Sequence, residues 1–271
     1  MSKVFPPSFS AAYASYSRAL SMLCDSKGAE KGPGLKMLDE WMFGDFAQSA
    51  RKNGKMTSDE LARVMEWKLS RGKFRPTLMA LVKGNSSSAV ESISKSAFEK
   101  VGKNDVVEAV KTLSELKGVG PATASAILSA HSPSVPFMSD ESLSVFFPAN
   151  KLPYTLPAFK TLLDMLQKKA NELNKEDTTG DWTAGKCERA IWAWSTIERL
   201  ERAPKAKDVV ETNPSKQTEP VPKGDSSEKK ESSGAKNNKR KPAAKVEGEL
   251  EIAAIETTAR RSKRIKAQVA M

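Results

Sequence analysis

The most specific chemistry in this sequence lies in one segment, Leu113-Ser-Glu-Leu116-Lys117-Gly118-Val119-Gly120-Pro121-Ala122-Thr123-Ala124-Ser125-Ala126-Ile127-Leu128. A helix ending at Leu116, a Gly-Val-Gly turn and a small-residue helix starting at Pro121 or Thr123 make a hairpin. Glycine enters the left-handed backbone region without steric cost and lets another backbone come close. The amides of such a turn, together with the unpaired N–H groups that open the next helix, form a ready site for one phosphate. Gly118, Val119, Gly120 and Thr123, with the adjacent Lys117, are therefore the candidate phosphate-binding residues. Ala124 and Ala126 permit a tight helix crossing, while Val119, Ile127 and Leu128 are expected to face inward.

A second cluster precedes it. Trp67-Lys68-Leu-Ser-Arg71-Gly72-Lys73-Phe74-Arg75 sets four cations beside two aromatics. That interleaving suits phosphate contacts and stacking on bases, and Lys68, Arg71, Lys73 and Arg75 are the candidates for it. The same string also reads as a helix end with solvated cations and core aromatics.

Other chemistries find few residues to work with. Cys24 and Cys187 are too few for a disulfide framework, a zinc site or an iron–sulfur cluster bound by four thiolates. His131 is the one histidine, so Ser-His-Asp or Cys-His catalysis and any multi-histidine metal site would depend on it. It stands in an Ala-His-Ser-Pro stretch and reads as a loop residue. No metal or cofactor is expected, and the chain reads as a reduced, intracellular protein.

Helices must position these groups. Apolar residues recur at helical spacing over 9–23 and 35–46, where Leu38, Trp41 and Met42 share a face. Thr57-Ser-Asp-Glu60 is a capping box ahead of Leu61, Val64, Met65 and Leu69. That helix is expected to end at Arg71-Gly72, and Pro76 opens the next. Further helices are predicted over 88–101, 105–116, 123–130, 156–173 and 183–202, the last capped by Asp181 or Thr183. No useful alternating pattern and no solenoid repeat appears, so the fold class is all-α.

The chain divides by composition. All 5 Trp, 3 Tyr and 10 Phe of the 271 residues precede Ala203, so a core is expected in the front part and a disordered tail over 203–271. The formal net charge of +11 favours a polyanionic partner. The tail carries 16 Lys and Arg against 10 Asp and Glu, with basic clusters at 239–241 and 260–264. Such runs suit a nuclear-import receptor or a phosphate backbone, or are solvated charge. A short helix at 250–255 is a weaker expectation. No transmembrane span and no secretory signal is expected.

The hairpin resembles the helix-hairpin-helix motif, and its continuation resembles the helix-hairpin-helix DNA glycosylase superfamily, which contains endonuclease III and the adenine glycosylases. In that family an L-x-G-V-G-x-x-T-A segment leads through a Pro-containing loop to an essential Asp. Here Ser132-Pro133-Ser134-Val135-Pro136-Phe137-Met138-Ser139 leads to Asp140, 22 positions after Gly118. The stretch 72–81 is similar to the family's earlier G-x-x-x-x-K-A-x-x-L segment, and the resemblance covers 66–147. It implies duplex DNA as partner, a base turned out of the helix, and Asp140 stabilising an oxocarbenium-like transition state during cleavage of the base–deoxyribose bond. The other reading of Asp140 is an N-cap for a helix over 141–147, and both roles can hold together.

Three departures define what the resemblance leaves out. Ala122 stands where bifunctional members carry the Schiff-base lysine, so any glycosylase here is monofunctional. Ser139-Asp140-Glu141-Ser142 replaces the usual Val-Asp-Thr-His, adding a second negative charge beside the site. The family's cysteine-bound cluster is absent, as in other members.

The expectation is therefore a helical, glycosylase-like domain over about 8–202, with the hairpin at about 105–130, and a basic tail directing the protein to the nucleus. Three functions stay open: a monofunctional DNA glycosylase using Asp140, a non-catalytic helix-hairpin-helix DNA-binding protein, and an interaction scaffold. They part on whether Asp140 faces a pocket lined by aromatics such as Trp67, Phe74 or Tyr154, or only its own helix cap.

Overall fold

The computed structural model describes residues 5–73, 75–177 and 180–202. The tail with its clusters at 239–241 and 260–264 and the stretch 250–255 lies outside the described residues, as does Phe74. Those described form twelve helices and no strand, as the all-α reading expects: α1 Phe9–Ala14, α2 Tyr16–Ser26, α3 Gly28–Phe43, α4 Asp45–Asn53, α5 Ser58–Arg71, α6 Pro76–Lys83, α7 Ser87–Gly102, α8 Val106–Leu113, α9 Pro121–His131, α10 Asp140–Phe146, α11 Leu156–Glu176 and α12 Ala184–Arg202.

Local signals place several boundaries. Thr57 Oγ1 accepts from Glu60 N while the Glu60 carboxylate accepts from Thr57 N at 2.8 Å, so the capping box opens α5. Pro76 is the first residue of α6. Two expected helices instead split. The run 9–23 breaks at Ser15, whose hydroxyl donates to the carbonyls of Ala11 (2.6 Å) and Ala12 (3.2 Å) in competition with the helical ladder. The run 35–46 belongs to α3 and α4, which part at Gly44, where a Cβ would stand 2.7 Å from Glu40 O. Helix α8 stops at Leu113, and single turns carry the chain to Leu116. Thr183 caps α12 through a 3.2 Å bond from Lys186 N, whereas Asp181 pairs with the Lys186 ammonium.

Helix α9 is the hub. Every residue from Ala122 to Ala130 is buried, and α4, α5, α7, α8 and α11 pack around it. Its alanines and serines allow that crowding, because small side chains let neighbouring backbones approach. Helix α12 organises a second group, packing on α1, α2, α10 and α11 through Ala190, Ile191, Trp192 and Ala193. Helix α5 links the two sides by touching α3 as well as α9. Trp67 and Trp192 are almost wholly enclosed, and truncating a buried Trp to Ala costs about 3–5 kcal/mol. Leu38, Trp41 and Met42 are buried together, as their shared face requires.

His131 is not in a loop. It is the last residue of α9, stacked on Phe98 with ring centroids 4.2 Å apart and planes within 5°. Arg51 donates to Ala130 O at 3.0 Å, closing the helix end. Burial, then Arg51, lower the His131 pKa, so the imidazole is a packed, neutral group.

Candidate nucleic-acid-binding cleft

The hairpin rests on α6. Gly118 adopts φ +77°, and a Cβ there would meet Leu81 Cβ at 3.0 Å, Leu78 O at 3.1 Å and Val82 Cγ2 at 3.1 Å. Positive φ and close approach both demand glycine at this position. Gly120 is different: its φ of −102° is open to any residue, and a Cβ would enter empty space. Asn85 fastens the turn to the end of α6, donating to Val82 O (2.8 Å) and Lys117 O (3.0 Å) and accepting from Lys117 N (2.9 Å). Val119 N donates to Leu116 O, and Thr123 N to Gly120 O. The amides of Gly118 and Gly120 have no protein acceptor among the described residues. With the N–H of Ala122 in the first turn of α9, which also has no acceptor among the described residues, they are the free donors expected here.

The loop after α9 is anchored from both sides. Met138 N donates to Ser125 Oγ at 3.0 Å. Gly185 N and the Thr183 hydroxyl both donate to Pro133 O, at 3.1 and 2.6 Å. A Cβ on Gly185 would stand 2.5 Å from that oxygen, so only glycine lets α12 start against the loop. Helix α10 then begins at Asp140, but its cap is Ser139, whose hydroxyl accepts from Ser142 N at 3.2 Å. The expected N-cap role of Asp140 is therefore taken by its neighbour. Ser139 also donates to Glu188 Oε1 at 2.6 Å.

Freed from capping, Asp140 is half-buried in the wall of a cleft of about 660 Å³, a size that holds a small ligand or one nucleobase. Tyr154 donates to Asp140 Oδ1 at 2.6 Å. Burial, then the bond to Asp140, raise the Tyr154 pKa, keeping the phenol protonated as the donor. The cleft wall brings together Lys68, Arg71, Lys73, Arg75, Gly118, Gly120, Thr123 and Asp140 from the expected set, although Arg71 shows the cleft little of its side chain. Lys68 is half-buried, and its pKa is lowered by burial, then by Arg75, against the opposite pull of Asp140. Arg75 lies 5.7 Å over the Tyr154 ring. Glu141 shares the wall, its pKa raised chiefly by burial.

Other members of the expected set are placed elsewhere or play another part. Arg71 is not an exposed phosphate ligand: its side chain is 5% exposed and pairs with Asp39 at 3.0 Å. Its guanidinium also donates to Tyr16 Oη and lies 3.7 Å from the Trp192 ring centroid. Burial would lower its pKa, yet Tyr16, Asp39 and Glu188 together raise it, so it is a permanent core cation. Trp67 is no stacking platform, since it is fully buried and its indole N–H donates to Asp39 at 2.9 Å. Val119 contributes an anchoring side chain and an engaged amide. Thr123 is 3% exposed, so little of it faces the cleft. Lys117 is exposed beside the hairpin without lining the cleft.

Reasoning from sequence missed Asn85, Gly185, Glu188 and the cleft-lining Lys27 and Arg199. The signal for Asn85 was there, in a Gly-Asn pair just past a helix, but the other partners are joined only by the fold. Both cysteines are buried; burial raises the Cys24 thiol and pushes Cys187 up to about 12, which leaves neither as a nucleophile. Among the described residues no cluster of three metal-ligating side chains occurs, and no helix is long and apolar enough to cross a membrane. No family model, no curated protein and no solved structure matches this chain.

Proposed function

We propose that this chain is a nuclear DNA-binding protein of the helix-hairpin-helix glycosylase type, acting as a monofunctional base-excision glycosylase through Asp140. One observation carries the reading: the two free hairpin amides and the Asp140 carboxylate line a single basic cleft large enough for a base. In this reading the Gly118 and Gly120 N–H groups take a backbone phosphate, with Lys68, Lys73 and Arg75 adding charge along the strand. The base enters the cleft, and its bond to C1′ of deoxyribose breaks with the bonding electrons leaving on the base. Asp140 supports the positive charge that develops on the sugar. Water adds at C1′, losing a proton as the base gains one. Ala122 offers no amine at the position of the family's Schiff-base lysine, so in this reading water is the nucleophile and the sugar–phosphate chain stays intact.

The test is binding to duplex DNA carrying a charged, non-cleavable abasic-site mimic, in the wild type and in Asp140→Asn. Preference for the mimic over plain duplex, reduced in the variant, is the expected result. A non-catalytic DNA-binding role is the second reading, favoured by the Tyr154 bond that already occupies one oxygen of Asp140. It predicts equal, salt-sensitive affinity for both DNAs. Absence of binding to either would leave the scaffold reading. For the nucleus, deleting residues 236–266 is expected to shift a tagged protein to the cytoplasm, and an unchanged nuclear signal would remove that part of the proposal.

A further inference from the structure

Lys27, at the junction of α2 and α3, and Arg199, in the last turn of α12, come to the same edge of the cleft. Lys27 is half-buried, and its ammonium has no hydrogen-bond or ion-pair partner among the described residues. Arg199 reaches a single acid, Glu141, and that only at 3.9 Å. The acids on either side of it are engaged elsewhere: Glu198 with Arg202, and Glu201 with Arg18 at 2.7 Å. Lys31 adds a third positive charge four residues on. The Lys27 pKa is lowered by burial first, then by Arg199, with Lys31 adding to the effect. Like charges held side by side on a partly buried rim disfavour each other, and an anion between them relieves both.

The position of this pair matters as much as its charge. The hairpin belongs to the group of helices packed around α9, and Arg199 to the group around α12. The cleft is lined by residues of both groups, and Asp140 is among them, on α10, which packs on α12 and α11.

We propose that Lys27 and Arg199 form a second phosphodiester site in this cleft, supplied by a different group of helices from the Gly118–Gly120 hairpin, so that one DNA strand is held at two points of the wall that Asp140 shares. This inference rests on the DNA-binding reading above and adds a site to it. Each neutralised phosphate steepens the dependence of log affinity on log salt by about 0.9. One phosphate contact that vanishes near 1 M salt is thus worth about eightfold in affinity at 0.1 M.

The experiment is fluorescence anisotropy with plain duplex and with the abasic mimic, from about 0.05 to 0.3 M salt. The proteins are full-length wild type, the Lys27→Gln/Arg199→Gln double variant, and Lys95→Gln, an exposed cation on α7 outside the cleft. Glutamine keeps the apolar stems, and the double variant is checked for wild-type helicity before use. The expected result is a salt slope reduced by about one and affinity lowered about eightfold at 0.1 M on both DNAs, with Lys95→Gln unchanged. Wild-type binding with slopes equal in all three proteins overturns the second site while leaving the first reading intact. A loss in the double variant no more than twice that in Lys95→Gln overturns it too, because two charges removed against one then account for it by net charge alone. No wild-type binding overturns both.

Discussion

Tyr154 donates its hydroxyl to Asp140 Oδ1 at 2.6 Å, while Oδ2 has no protein partner among the described residues. One oxygen fixes the carboxylate and the other is left to the cleft. Ser139 makes this division possible by capping α10 in place of Asp140.

Tyr154→Phe is therefore expected to keep the ring and lose the tether. A hydrogen bond to a charged group is worth about 1.5–3 kcal/mol, and half-burial puts the loss here near about 1.5 kcal/mol. Preference for the abasic mimic should fall partway towards that of Asp140→Asn. Urea denaturation and anisotropy read the two effects separately. Unchanged values in both would show that the contact does not hold the carboxylate.

Arg71 should matter for folding and not for DNA. Removing one partner of a buried pair leaves the other charge uncompensated, which costs about 3–5 kcal/mol. Arg71→Met, which roughly keeps the volume, is expected to lose stability in that range because Asp39 remains enclosed. Adding Asp39→Asn should recover part of the loss. The salt slope of DNA binding by the folded variant should match wild type, and a slope lower by about one would return Arg71 to the phosphate contacts.

The two hairpin glycines should separate cleanly. Gly118→Ala forces a side chain into positive φ and against Leu81, Val82 and the Leu78 carbonyl, a combination worth about 2 kcal/mol. Gly120→Ala meets open space in an ordinary conformation, so its stability should stay within about 0.5 kcal/mol of wild type. Thermal denaturation of the two single variants decides this. Equal losses would mean that the turn needs both glycines.

What was legible in the sequence was local. The capping box at Thr57–Glu60, Pro76 at a helix start and the buried face of Leu38, Trp41 and Met42 depend on residues three or four apart, and all three appear as read. The choice between Ser139 and Asp140 as cap was not legible, since both are good caps and adjacent; a buried Glu188 and a nearby Tyr154 decide it. Arg71 looked like a surface cation because its partner Asp39 lies on another helix. Gly118 and Gly120 looked alike because the need for positive φ depends on which of them leans on α6. In each case the missing information was a contact between distant parts of the chain, and pattern alone does not carry it.

Glu188 supplies a pH test of that kind of contact. It is fully buried, its hydrogen-bond partner is Ser139, and Arg71, Arg189 and Glu141 are the charges that act on it. Burial dominates, lifting its pKa from 4.5 to about 7 against the pull of Arg71. Between those values the folded chain holds a proton that the unfolded chain has lost. Stability from this group therefore falls as pH rises from about 4.5 to about 7, and is level above. Glu188→Gln keeps an acceptor for the Ser139 hydroxyl and has nothing to titrate. Relative to wild type, the variant should gain stability between pH 5 and pH 8, with Glu141, raised in the same direction, leaving some slope in both proteins. Urea midpoints at the two pH values measure this. Parallel profiles would mean that Glu188 is already ionised at pH 5 and that the α10 cap rests on a permanent charge pair with Arg71.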